Sequence, residues 1–442
     1  MISKKTNPIV ASKREGKSLS LQANTEGFTS ISMATTLALA VSTAMMGNVH
    51  AEEISTLDTL VIEESAVKAD ANPYAEENAP YKAKRLSGSK HTRDIADTPQ
   101  TMTVLTKDVI ADSGKTELKD ILSAQPGITL GTGEGGNSFG DRYIIRGYEA
   151  RSDVFTDGLR EPGLITRETF AVDQIEISKG ASSTFAGRGS TGGAVNVVTK
   201  KATLEDDFST LSGGIGTDKY HRYTLDSNKV ITDKLAVRIN ALYSDADIPD
   251  RAPAKEQRQG LLLSGVFEAT NDLTISSDYY YFASDDRTDP GVQLDRSTGI
   301  IDKDIKNIGQ SGLDFHDTKA SIFTTKIDWN INDNLRIENK TRIGRADNAF
   351  IVSGYHSFFT AGIRGFNAWQ ENKYLGNQTN VLFDTTLWGK QHNFVSGIEF
   401  AKENVKAGSY TVATDASVPI LTLTTLIIAA GQELSQRTMA LI

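Results

Sequence analysis

The 442-residue chain has no cysteine, which removes a disulfide framework, a thiolate nucleophile and any Cys-ligated zinc or iron–sulfur centre. It has little proline, 10 residues. It has no excess of positive charge: 56 acidic side chains against 47 basic ones give a net charge of −9, whereas a nucleic-acid binder carries a basic face. A hydrophobic fraction of 38 % is too low for a bundle of membrane helices, each of which needs about 20 apolar residues. His91, His221, His316, His356 and His392 are scattered, with no i, i+4 pair to hold a metal. What the chain does have is glycine (37) and tyrosine (13), a mixture that fits strands and turns. The length allows two or three domains or one large barrel.

The N-terminus reads as an address. Lys4, Lys5, Lys13, Arg14 and Lys17 precede an apolar stretch from Phe28 to Met46, and small residues lead to Ala51. Residues 1–51 are therefore expected to be a cleaved secretory signal, the alternative being a retained single-span anchor. Residues 52–95, rich in Ala, Glu, Asp and Lys and broken by Pro73 and Pro80, read as a flexible arm. Within it Leu57, Asp58, Thr59, Leu60, Val61 and Ile62 form a β-prone island. Such an island either adds as a strand to another protein's sheet edge or is an incidental patch in a linker.

Residues 96–201 are expected to form a small mixed α/β domain. Thr101–Thr106 is a strand candidate. A short amphipathic helix over residues 115–125 puts Leu118, Ile121 and Leu122 on one face and is stopped by Pro126-Gly127. Residues 142–147 form a strand to which residues 154–158 can return antiparallel, with a helical turn near 168–172 and strands at 174–178 and 193–199 to follow. Gly187, Gly189 and Gly192 make a formal G-x-G-x-x-G, but a β-branched strand follows instead of the helix that a phosphate cradle needs. These glycines fit tight turns and close backbone packing better.

After Asp207 a period of two takes over. Leu235, Val237, Ile239, Ala241 and Tyr243 alternate with Arg238 and Asn240, and Leu335, Ile337 and Ile343 alternate with Arg336, Glu338, Lys340 and Arg342. Strands of about nine residues with one greasy and one charged face suit a sandwich or a lipid-facing barrel. Short turns at Asp233, Asp272, Asp333 and Lys390 alternate with long polar stretches at 248–257, 283–316 and 345–376. That asymmetry favours an antiparallel transmembrane β-barrel over residues 207–410. Asp285, Asp286 and Asp289 could collect a cation but read as a solvated acidic turn.

The stretch from Val172 to Gly180, followed by residues 181–200 (ASSTFAGRGSTGGAVNVVTK), resembles the end of the plug domain of TonB-dependent outer-membrane receptors. Residues 142–147 (RYIIRG), 155–158 (FTDG) and 97–106 (DTPQTMTVLT) match that family in order. Residues 72–81 (NPYAEENAPY), with the 142–163 region, look most like the Fiu-type catecholate siderophore receptors. The resemblance implies a plug inside a 22-stranded barrel, a TonB box at Leu57, Asp58, Thr59, Leu60, Val61 and Ile62, and uptake of ferric catecholate siderophores across the outer membrane of a Gram-negative bacterium. It implies no enzymatic activity, no resident cofactor (iron arriving already chelated), and TonB, ferric siderophore and outer-membrane lipid as partners. Another chelate, such as a hydroxamate or cobalamin, or a passive porin or adhesin, stays open as an alternative. At the observed turn spacing eleven strand pairs would need on the order of 570 residues. Only about nine strands are therefore expected, the divergent tail at 411–442 reads as the mark of a truncated receptor, and an inactive product is a further alternative.

In that family the ligand meets the outer apex of the plug. A tris-catecholate ferric complex is a trianion with flat rings, so guanidinium groups and aromatics suit it. Asn137, Phe139 and Arg142 are the first candidates and Arg160 the next. For Arg142 a structural pairing with Asp141 or Glu161 is the alternative; for Arg160 it is a structural or solvated role. Tyr148, Glu149 and Arg151 are expected on the opposite turn, away from the site.

Overall fold

The computed structural model describes residues 72–76, 79–131, 141–151, 153–161, 163–181, 190–291, 294–295, 298–301, 312–355, 363–414, 423–428 and 432–441, all within one compact unit, Val67–Ile442. The signal, the 57–62 island, Asn137 and Phe139 lie outside the described residues. In chain order the first part comprises β1 (Thr101–Thr106), helices α1 (Lys107–Asp112) and α2 (Leu118–Ser123), β2 (Ile128–Leu130), β3 (Tyr143–Ile145), β4 (Tyr148–Glu149), β5 (Val154–Thr156), β6 (Leu159–Arg160), β7 (Val172–Lys179) and β8 (Gly193–Thr199). A five-stranded sheet runs β1–β7–β8–β5–β6, and a three-stranded one runs β2–β3–β4. Leu118, Leu122, Tyr143, Ile145, Ile175, Ile177 and Val195 close the core between them.

Two local expectations need correction. Residues 154–156 do not return against 143–145; they run parallel to β8. Tyr143–Ile145 instead finds nearer partners, β2 on one side and β4 on the other. Arg146 and Gly147 turn it back with φ of 51° and 84°, the paired left-handed geometry of a tight hairpin. The helix expected over 115–125 is shorter, Leu118–Ser123. Glu117 stays extended and bridges to Glu168, while Leu118 N–H donates to Arg167 O (2.9 Å) and Thr169 N–H to Thr116 O (2.9 Å). Strand pairing thus takes the residues that propensity would give to the first helical turn, and Leu118, Ile121 and Leu122 keep the buried face.

The second part is β9 (Phe208–Ile215), β10 (His221–Thr232), β11 (Leu235–Asp247), β12 (Lys255–Thr270), β13 (Leu273–Asp286), β14 (Phe315–Asn332), β15 (Leu335–Tyr355), β16 (Ile363–Leu387), β17 (Lys390–Gly408) and β18 (Gln432–Leu441). Each pairs antiparallel with the next in one ten-stranded sheet, one strand more than expected, because β18 pairs with β17 inside the supposedly divergent tail. The alternation is inverted relative to a soluble core. Val237 and Ile239 are 38 % and 39 % exposed, whereas Arg238 and Asn240 between them are 5 % and 0 % exposed. Ile327, Trp329, Ile343 and Phe383 share the exposed face; Glu338, Arg342 and Gln378 share the buried one, against the plug. Among the described residues no helix is long and apolar enough to cross a membrane.

The strands are also longer than about nine residues. Most of the stretch 345–376, expected as a loop, is paired strand from Arg345↔Lys373 to Tyr355↔Ile363. Arg345 Nη2 bridges to Glu371 Oε2 across the pair at 2.7 Å. A strand that outruns the ~30 Å hydrocarbon layer needs no apolar face there, so its period fades from the sequence.

The arm is folded from Asn72 onward, contrary to expectation. Asn72 Nδ2 donates to Gln174 Oε1 (3.0 Å). A hairpin of Ala75–Glu76 with Ala79–Ala83 follows, and Thr106 Oγ1 donates to Pro80 O.

Candidate functional site

The plug meets the sheet through carboxylates. Glu117, held outside α2 by its bridge to Glu168, accepts Arg258 Nη1 at 2.7 Å, and Glu168 accepts the same nitrogen at 2.9 Å. Arg222 Nη2 reaches Glu168 Oε2 at 2.8 Å. Burial pushes the Glu117 carboxyl up, but Arg258 and Lys119 outweigh it and hold it below the ordinary value. Arg222 and Arg258 stand near the strand ends that carry the long connections, so this clamp lies toward that side.

A second clamp lies toward the short turns. Asp157 and Gly158 form a left-handed turn, φ 50° and 79°, that carries the Asp157 carboxylate onto Thr199 N–H (3.0 Å), Thr199 Oγ1 (2.8 Å) and Lys201 Nζ (2.9 Å). Lys201 also pairs with Asp278 of β13. Burial would raise the Asp157 carboxyl, yet Lys201, Arg342 and the Thr199 amide bring it down to about 2. From β15, Lys340 Nζ donates to Asp157 O (3.1 Å) and Arg342 Nη1 to Thr156 O (3.0 Å). Between the clamps Phe170 sits over Gly260, where an added Cβ would stand 2.5 Å from the ring, beside Leu242, Leu262 and Phe282. Buried ion pairs like these add little net stability, but removing one partner strands the other charge at a high cost. They fix the plug's register in the sheet.

Of the ligand candidates, Arg142 and Arg160 are described. Arg142 pairs neither with Asp141 nor with Glu161. Its Nη2 lies 2.9 Å from Glu149 Oε2, and Arg151 Nε lies 2.9 Å from Glu149 Oε1. The expectation that Glu149 and Arg151 stand apart is therefore corrected, because the two-residue hairpin folds β4 back beside Arg142. Arg142's hydrogen bond holds the half-exposed Glu149 carboxyl below its usual range. Asp141 is committed to Tyr143 OH (2.6 Å) and Arg167 N–H (3.2 Å), and burial raises its carboxyl. Since Arg167 precedes Glu168, this bond brings Asp141 to the long-connection clamp. Arg160 Nη1 is 3.4 Å from Glu403 of β17.

Of the glycine run, Gly187 and Gly189 lie outside the described residues, and Gly192 is in close packing. A Cβ on Gly192 would stand 2.2 Å from Ile145 O, and Gly193 has φ +147° with Ser178 O equally near. The acidic turn is engaged, not merely solvated: Asp289 pairs with Arg251 (2.6 Å), and Asp286 accepts Gln257 N–H (3.0 Å). Among the described residues no group of three His, Asp or Glu is disposed to hold a metal. Sequence reading missed Glu117, Glu168, Arg222 and Arg258; the signal open to it was the recurrence of arginines on the charged face of β10–β15.

Residues 94–194 match the family described as the TonB-dependent receptor plug domain. The probable TonB-dependent siderophore receptor PiuA of Acinetobacter baumannii is 30 % identical over 386 residues, 84 % of this chain and 50 % of that one. The catecholate siderophore receptor Fiu of Escherichia coli K12 is 29 % identical over 374 residues, 78 % of this chain and 48 % of that one. The crystal structure of PiuA superposes with a TM-score of 0.72 at 28 % identity, covering 82 % of this chain and 56 % of that one. For the closed form of the ferric-catecholate import receptor Fiu the TM-score is 0.71 at 27 % identity, covering 79 % and 54 %. The chain thus spans about half the length of the curated relatives it matches. With a plug domain clamped to part of an antiparallel barrel, it is related to the TonB-dependent siderophore receptors, Fiu-type catecholate receptors among them.

Proposed function

We propose that the protein acts in the outer membrane of a Gram-negative cell as a receptor for ferric siderophores of the catecholate class, energised by TonB pairing with Leu57, Asp58, Thr59, Leu60, Val61 and Ile62. One observation carries this reading: a folded plug is clamped by ion pairs to the charged inner face of a sheet whose outer face is apolar. A plug held in this way has to be displaced before a solute can pass it, which disfavours a passive porin. The name and fold of Fiu support the catecholate class, and those of PiuA a siderophore receptor. Arg142 and Arg151 flank Glu149 on the plug hairpin, and guanidinium groups are suited to a trianionic chelate. Asn137, Phe139 and Arg160 are proposed as further contacts. Iron is cargo, held by its chelator; neither a resident cofactor nor a catalytic step is proposed. Ligand binding at the outer loops shifts the equilibrium of the N-terminal arm, which then adds as a strand to TonB.

The test is binding of a ferric tris-catecholate against a ferric hydroxamate and cobalamin, together with Leu60→Pro, which removes a backbone donor from the added strand. At least tenfold preference for the catecholate, and unchanged binding with abolished uptake in the variant, are expected. Equal binding of all three rejects the ligand class, and unimpaired uptake rejects the TonB assignment.

A further inference from the structure

Between the arm and the plug sheet, residues 84–91 run across a seam. Ser87 N–H donates to Glu176 Oε1 of β7 (2.6 Å), and the same carboxylate is fixed by Asn196 Nδ2 (2.8 Å) and Gln174 Nε2 (3.0 Å). Two residues on, Ser89 Oγ donates to Glu338 Oε1 of β15 (2.9 Å). Glu338 is 1 % exposed and is itself held by Lys340 and Lys326, each at 3.1 Å. Leu86, just before Ser87, is buried. Two residues of one segment, Ser87 and Ser89, are therefore tied to a plug carboxylate and to a sheet carboxylate. Behind the segment lies a cavity of about 90 Å³, bordered by Phe155, Ile177 and Asn196 of the plug and by Lys340, Gln378 and Asn380 of the sheet. Here the plug and the sheet do not close on each other; the segment closes the gap.

We propose that residues 84–91 are a strap that must lift from Glu176 and Glu338 before the plug can move, and that lifting it opens the seam between plug and sheet. The inference rests on the receptor reading above. Tension applied N-terminal to Asn72 reaches the ties in chain order: Asn72 to Gln174, the 75–83 hairpin, Ser87 to Glu176, then Ser89 to Glu338. Loaded one at a time, the bonds unzip at a lower force than if they were sheared together. The second clamp, at Asp157, Lys201 and Asp278, lies beyond the strap along the chain and keeps the C-terminal side of the plug on the sheet meanwhile.

The chain has no cysteine of its own, so introduced thiols report cleanly. Joining Ser89→Cys to Gln378→Cys with a short, reducible cross-linker is expected to leave ferric tris-catecholate binding within twofold, to cut uptake at least tenfold, and to be reversed by reductant. In an activity-independent readout, Gly88→Cys alone, which leaves both ties in place, is expected to react several-fold faster with a bulky maleimide in cells with TonB and ligand than in cells lacking TonB. Unchanged uptake after cross-linking, or equal labelling in both cells, overturns the strap. If Leu60→Pro still abolishes uptake in that case, the receptor reading stands and only the strap falls; if that variant too has no effect, both fall.

Discussion

Asp157 shows how much one residue of the plug is asked to do. Its φ of +50° makes the turn, and its carboxylate joins β8, Lys201 and, through Lys201, the sheet. The group's ordinary value is 3.8 and its folded value about 2. A carboxyl lowered on folding adds stability above its unfolded value, and that stability is lost as pH falls through the folded one. Plug docking should therefore weaken between pH 3.8 and about 2. Asp157→Asn keeps a side chain that tolerates the turn but leaves Lys201 undercompensated. It should cost about 3 kcal/mol and flatten that part of the acid limb, read by melting curves across the pH series. The aspartate could be picked out as part of FTDG in the sequence. Its partners could not, since Asp278 is distant in the chain and meets Lys201 only when the plug docks on the sheet.

At the scale of elements, the plug's two sheets meet where side chains are absent. Gly192 and Gly193 open β8 at the point where Ile145 O and Ser178 O come closest. Gly192→Ala must push β3–β4 away from β8, and a loss of about 2–3 kcal/mol is expected. Protease accessibility of the plug at rising denaturant, with the barrel signal as internal control, checks it; no change would mean that the hairpin yields freely. The packing role of Gly192 was legible because no helix followed it. The partner of β5 was not legible: three residues of Val-Phe-Thr pair with any strand, and the choice of β8 depends on the tertiary placement of β7.

For the whole molecule, the sheet has its charges inside and its apolar side chains outside. Ile343 is 58 % exposed on β15, next to the buried Arg342. Ile343→Lys on that outer face should cost about 2–4 kcal/mol of insertion free energy near the bilayer midplane. Reduced assembly into lipid vesicles would be seen at unchanged plug fold. Insertion equal to wild type would show that this face does not meet lipid.

The period of two after Asp207, the punctuation of the turns and the plug motifs were properties of the sequence itself, because alternation and turn chemistry are local. Which of the two alternating faces looks outward was not local; it depended on the plug supplying carboxylates for Arg222, Arg258 and Arg342 to be buried against or beside. The same holds for the length of β15 and β16, where pairing persists after the apolar signal ends, and for Arg142, whose partner Glu149 arrives by way of a hairpin. Short-range preferences are written residue by residue, whereas a charge finds its counter-charge only when chain segments far apart in sequence are brought together.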